Sequence, residues 1–212
     1  MTDIKTLKTA LASVPLVPVL TIDRGEDAAP LAIALARGGF KAVEVILRTS
    51  AALPAITAMR EAAPDLMVGA GMVTDPDEVA SAVDVGAQFL ASPGLSPQLS
   101  DALLATDIPA IPGVMTISEA MTCAANGFDI LKLFPATSIN GLDLLHAWSV
   151  PLSNVDFIAG GGITADHAKD YLSLSNVCAV GGSWMVNRTD IAIGDWTSVE
   201  GTASAAVAAC RQ

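Results

Sequence analysis

Aromatic side chains are scarce in this sequence, at 4% of 212 residues, so a core must come from Ala, Val, Ile and Leu within a hydrophobic share of 52%. Such usage suits parallel strands that are buried on both faces and covered by helices. Cations are scarce as well. Eleven Lys and Arg stand against 22 Asp and Glu, a formal net charge of −11, and none lies between Arg60 and Lys132. Nucleic acid is therefore excluded as a partner, because a phosphate backbone is held by clustered Lys and Arg. An anionic small molecule has to rely on a few placed cations and on helix N-termini. The two histidines, His146 and His167, fall in helical stretches without metal-type spacing around them, which argues against a metal site. Three cysteines, Cys123, Cys178 and Cys210, give neither a ligand spacing nor an even disulfide set, and are expected to pack as small apolar residues. No apolar run reaches the roughly 20 residues that span a bilayer. The start, MTDIKTLKTALASV, reads as a short amphipathic helix without the apolar block of a signal peptide. A cytoplasmic protein with no membrane partner is expected.

What the sequence does contain is an alternation of short apolar runs and Ala-rich helical stretches, unbroken by a linker or a low-complexity tract. The runs are LVPVL (16–20), AVEVIL (42–47), LMVGA (66–70), QFLAS (88–92), IPAIP (108–112), DILKLF (129–134), VDFIA (155–159) and VCAVG (177–181). The helical patterns between them, such as DAAPLAIALARGG and DPDEVASAVDVG, open on Asp- or Ser-type caps and close on Gly. Pro30 and Pro76 sit near helix starts, where a missing N–H costs little. Eight strand candidates, each followed by a helical stretch, predict a parallel α/β fold. In so short a chain eight units favour closure over an open sheet. The expected architecture is a single-domain (β/α)8 TIM barrel over residues 1–212 with an N-terminal helix. The helix after DILKLF looks short, at 141–148.

Ligand chemistry in such barrels sits at the C-terminal strand ends, so a charge inside a buried apolar strand is the informative feature. Three residues qualify: Glu44, Arg48 and Lys132. Side chains alternate faces along a strand, so Glu44, Ile46 and Arg48 share one face of AVEVILR and Val43, Val45 and Leu47 the other. With the apolar set against the helices, Glu44 and Arg48 point into the barrel. The same parity sends Ile130, Lys132 and Phe134 inward. Burial and a neighbouring cation both disfavour an ammonium, and a neutral amine is what attack on a carbonyl requires. Lys132 is thus a candidate nucleophile, Glu44 a candidate acid/base, and Arg48 a bidentate clamp for a carboxylate. The alternatives are a buried Lys132–Glu44 salt bridge that only holds the barrel, and an Arg48 that only makes a surface ion pair.

Two glycine-rich turns close the set. AGGGIT (159–164) follows the seventh run and opens a helix, and VGGSW (180–184) follows the eighth and opens a short helical turn. Backbone N–H groups there can close on an anion, or the glycines serve tight strand-to-helix turns alone. GAGMV (69–73) lacks the third glycine of a dinucleotide fingerprint and reads as a strand end near a ligand.

These residues resemble the bacterial 2-keto-3-deoxy-6-phosphogluconate (KDPG) aldolase / 4-hydroxy-2-oxoglutarate (KHG) aldolase family. The marks are GGFKAVEVILRT (38–49), VGAGMV (68–73), QFLASPG (88–94), IPGVMT (111–116), LKLFPA (131–136), AGGGI (159–163) and VGGSW (180–184). The resemblance implies a class I aldolase that needs no metal or cofactor and cleaves a phosphorylated six-carbon 2-oxo acid to pyruvate and glyceraldehyde 3-phosphate, the last step of the Entner–Doudoroff route. It implies Lys132 as the Schiff-base lysine, Glu44 as acid/base and Arg48 on the pyruvate carboxylate. Pro93 and Phe134 then wall the pocket, Gly161, Gly162, Gly182 and Ser183 form the phosphate end, and the enzyme is a homotrimer. Two positions depart from the family pattern. Met72 stands where the family has a Thr hydroxyl, and Gly160 where it has Thr. Other readings of the same residues are an aldolase for unphosphorylated 4-hydroxy-2-oxoglutarate with oxaloacetate decarboxylation, a proton-transferring isomerase or epimerase, and a non-catalytic phosphate-binding barrel.

Overall fold

The computed structural model describes residues 3–210. Nine parallel strand segments form its sheet: β1 (Leu16–Leu20), β2 (Ala42–Ile46), β3 (Met67–Gly71), β4 (Leu90–Ala91), β5 (Ala110–Ile111), β6 (Gly113–Val114), β7 (Ile130–Leu133), β8 (Asp156–Gly160) and β9 (Val177–Gly182). Their order is β5-β4-β3-β2-β1-β9-β8-β7-β6, so the two ends of the sheet are consecutive pieces of one stretch of chain. That brings the sheet round into a nearly closed barrel of the predicted eight-unit type. The fifth run is split because Pro112 has no N–H to give the ladder. Its carbonyl still accepts from Lys132 N at 2.9 Å, which ties the break to β7.

The helices are α1 (Ile4–Ser13), α2 (Ala28–Arg37), α3 (Ala52–Ala62), α4 (Pro76–Asp84), α5 (Pro97–Leu104), α6 (Ile117–Ala125), α7 (Gly141–Trp148), α8 (Ala165–Leu172), α9 (Arg188–Ile193) and α10 (Trp196–Cys210). Several start on the expected chemistry. The Asp75 side chain accepts from the Asp77 and Glu78 N–H groups, Ser96 accepts from Leu99, and Thr116 and Glu119 form a reciprocal capping box. Asp27 is a correction: its carboxylate does not cap α2 but takes two hydrogen bonds from Arg24, at 2.7 and 2.9 Å. The short turn expected after VGG is present and stays separate from the next helix. Ser183–Val186 make one hydrogen-bonded turn, and α9 starts only at Arg188 behind its own Asn187 cap.

Strand parity divides the core. Val43, Val45, Val68, Leu131, Leu133 and Phe157 face outward into the layer beneath the helices. Val17, Ala42, Met67, Phe89, Ile111, Ile130, Ile158 and Ala179 fill the barrel interior. Leu7 and Leu11, four apart on α1, plug that interior, with 0% and 1% of their surface exposed. Each contributes roughly 1.5–3 kcal/mol by burial. Lys8 of α1 adds a 2.9 Å ion pair to Asp156 at the start of β8, but both groups are partly exposed and surface pairs contribute about 0–1 kcal/mol. One end of the barrel is therefore closed, and any ligand must enter from the C-terminal strand ends.

Candidate active site

Glu44 on β2 and Lys132 on β7 point into the barrel as their parity requires. Both are buried, at 4% and 5% exposure. Lys132 Nζ donates to Glu44 Oε1 at 2.7 Å and Oε2 at 3.0 Å. Glycines on neighbouring strands make room for these long side chains. A Cβ on Gly71 would run into the Glu44 carboxylate, and one on Gly160 would stand 3.3 Å from Lys132 Cε. The Phe134 ring lies below the ammonium, 5.7 Å from Nζ to its centroid, within cation–π range.

This pair lies in a cavity of about 390 Å³ at the barrel mouth. A larger groove of about 830 Å³ runs between α4 and α5. Its charged residues, Arg60, Asp84 and Asp107, are all exposed. Volume does not decide between them; a buried, ion-paired amine does.

Most of the expected site residues line the one cavity: Glu44, Arg48, Lys132, Phe134, Gly161, Gly162, Gly182 and Ser183. Arg48 is exposed at the mouth and makes none of the ion pairs found among the described residues. Its guanidinium is thus open to an anion, which argues against the surface-pair alternative. Pro93 is the exception. It does not line the cavity, and its main chain packs against the Cα face of Gly113. Lining residues outside the expected contacts include Val19, Ile46, Ile163, Thr164, Gly181 and Trp184. Inward parity alone identifies the first two. Trp184 needs the fold, because its indole lies over Gly182, where any Cβ would collide with it. Glycine at 182 is therefore demanded by packing.

The AGGGIT turn has the flexibility that close approach requires. Gly161 and Gly162 adopt φ of +94° and +77°, a region L side chains avoid. Met72 also has a left-handed φ, +58°, and lines the cavity after β3, beside the β2 end that carries Arg48.

The cysteines stay apart from this chemistry. Burial pushes the Cys123 thiol up to about 11 and the Cys178 thiol up to about 12, so neither is a thiolate near neutral pH. Among the described residues no three His, Cys, Asp or Glu side chains converge on a point.

A family model described as KDPG and KHG aldolase matches residues 7–202. The chain belongs to the KDPG and KHG aldolase family. It is 41% identical over 185 residues to the 2-dehydro-3-deoxy-phosphogluconate aldolase of Pseudomonas aeruginosa, covering 87% of this chain and 84% of that one. It is 40% identical over 207 residues to the KHG/KDPG aldolase of Escherichia coli, covering 96% and 97%. Among solved structures, the KDPG aldolase of Legionella pneumophila superposes with a TM-score of 0.90 at 38% identity, over 94% of this chain and 97% of that one. That enzyme holds pyruvate captured as a covalent carbinolamine intermediate. The KDPG aldolase of Zymomonas mobilis, solved with 3-phosphoglycerate, superposes at 0.88 with 35% identity over 96% of each chain.

Proposed function

We propose that this chain is a class I aldolase, a carbon–carbon lyase that cleaves 2-dehydro-3-deoxy-6-phosphogluconate to pyruvate and glyceraldehyde 3-phosphate through a Schiff base on Lys132. The observation that carries the reading is the buried amine of Lys132 held by both oxygens of Glu44. Glu44 takes a proton from the ammonium, and the free amine attacks C2 of the 2-oxo acid. The carbinolamine then loses water as the same carboxyl group returns a proton to its hydroxyl. Removal of the C4 hydroxyl proton lets the C3–C4 bond break. Its electron pair passes into the iminium, leaving an enamine and free glyceraldehyde 3-phosphate. Protonation at C3 and hydrolysis release pyruvate and restore Lys132. Arg48 holds the substrate carboxylate through its bidentate fork, and the turns at Gly161–Gly162 and Gly182–Ser183 hold the phosphate.

Ser183→Ala tests the phosphate end. Loss of one hydrogen bond to a charged group is worth about 1.5–3 kcal/mol, so KM for the phosphorylated substrate should rise on the order of tenfold or more. Cleavage of 4-hydroxy-2-oxoglutarate should hardly change. Equal damage to both substrates removes Ser183 from phosphate binding. The wild-type ratio of kcat/KM on the two substrates also tests the second reading, an aldolase of unphosphorylated acids, which the double name of the Escherichia coli relative favours.

Met72→Thr tests the carboxylate end. A thioether cannot donate to a carboxylate, so a hydroxyl there should lower KM for the 2-oxo acid. Thr is branched at Cβ, however, and tolerates a left-handed φ of +58° poorly. A penalty of about 1 kcal/mol lowers Tm by roughly 2–4 °C. Calorimetry with steady-state kinetics reads both effects. An unchanged KM in a stable variant means that the side chain at 72 does not face the carboxylate.

A cytoplasmic homotrimer completes the reading, on the family resemblance. Among the described residues no helix is long and apolar enough to cross a membrane. Sedimentation equilibrium tests the trimer.

A further inference from the structure

We infer that Thr137 is a positioning residue for the phosphate-binding turn, acting from behind it on the Gly161 carbonyl. The inference rests on the phosphate reading given above. Thr137 belongs to the 3-10 turn Ala136–Ile139, which leaves β7 directly after Phe134 and Pro135. Its N–H donates to Gly161 O at 3.1 Å and its hydroxyl to the same oxygen at 3.0 Å. A carbonyl oxygen has two lone pairs, and one residue engages both. The hydroxyl also fills the space that a side chain on Gly162 would need. Residues 160–164 line the cavity and Thr137 does not, so it touches the turn rather than the ligand.

Two consecutive glycines at positive φ form a turn with many accessible conformations, and ordering them on binding costs affinity. A tether that already holds the turn removes part of that cost. It also neutralises a carbonyl dipole next to the anion site, where a free acceptor would repel phosphate. The segment 130–139 thus carries the amine of Lys132 at one end and the tether of the phosphate turn at the other. That linkage ties the reacting amine and the phosphate turn together through five residues of one continuous chain.

Thr137→Val retains the backbone hydrogen bond and the shape but loses the hydroxyl; Thr137→Ser retains both bonds. The measurements are kcat and KM on the phosphorylated and unphosphorylated substrates, with inorganic phosphate as competitive inhibitor. In Thr137→Val the KM for the phosphorylated substrate and the inhibition constant of phosphate should both rise about five- to tenfold, the scale of one hydrogen bond. The unphosphorylated substrate should change by less than about twofold, and Thr137→Ser should restore wild-type values. Unchanged constants in Thr137→Val overturn the inference, and so does an equal loss on both substrates. If phosphate does not compete in the wild type and phosphorylation brings no preference, the phosphate reading itself fails, independently of either variant.

Discussion

Borohydride added to the protein in the presence of pyruvate is expected to leave one stable adduct, on the peptide that carries Lys132. Of the five lysines, Lys5, Lys8, Lys41, Lys132 and Lys169, only Lys132 lines the 390 Å³ cavity. The other four are exposed or partly exposed and have no buried carboxylate to receive a proton. Lys132→Ala should lose the adduct and lower turnover on the order of 10⁴-fold or more, as removal of a covalent nucleophile does. It also leaves Glu44 buried without a counter-charge, which costs about 3–5 kcal/mol. Activity loss alone is therefore ambiguous, and mass mapping of the wild-type adduct is the deciding measurement. An adduct on a different lysine, or active enzyme that cannot be trapped, would sink the Schiff-base mechanism and favour simple proton transfer.

Glu44→Gln should lower turnover by a factor on the order of 10² to 10⁴, the range for a lost general acid/base. Gln retains the size of Glu, and the space next to Gly71 is unchanged. Lys132 loses the counter-charge now 2.7 Å away, so some stability is lost as well, and rates must be compared well below Tm. The variant should still form the pyruvate adduct, only slowly, because the amine is still present while its proton acceptor is gone. A loss of less than about threefold would remove Glu44 from catalysis and leave the pair as a structural ion pair. The two variants therefore separate the nucleophile from the base.

Much of this architecture was legible in the amino-acid order. A buried parallel strand must alternate faces, so the parity of AVEVILR and DILKLF sufficed to send Glu44 and Lys132 inward. Two charges in otherwise apolar strands could only face a shared interior. The short helix at 141–148 was likewise readable, and so was the Pro76 helix start, from proline chemistry. Asp27 was misread because a cap and an ion pair use the same carboxylate, and only the neighbourhood of Arg24 chose between them. Pro93 could not be placed by parity for a related reason: a residue just beyond a strand end has none to orient it, and its backbone packs against Gly113.

Sequence by itself determined the eight apolar runs, their faces and the identity of the buried charges, because these depend on period-two alternation and on the energy of burying an ion. Tertiary structure decided what no local pattern encodes. It broke the fifth strand at Pro112 and closed the sheet across that break, brought residues 88 positions apart to 2.7 Å, and put Thr137 behind Gly161. Those contacts depend on how far each strand end projects once the barrel has closed, a distance summed over all its strands.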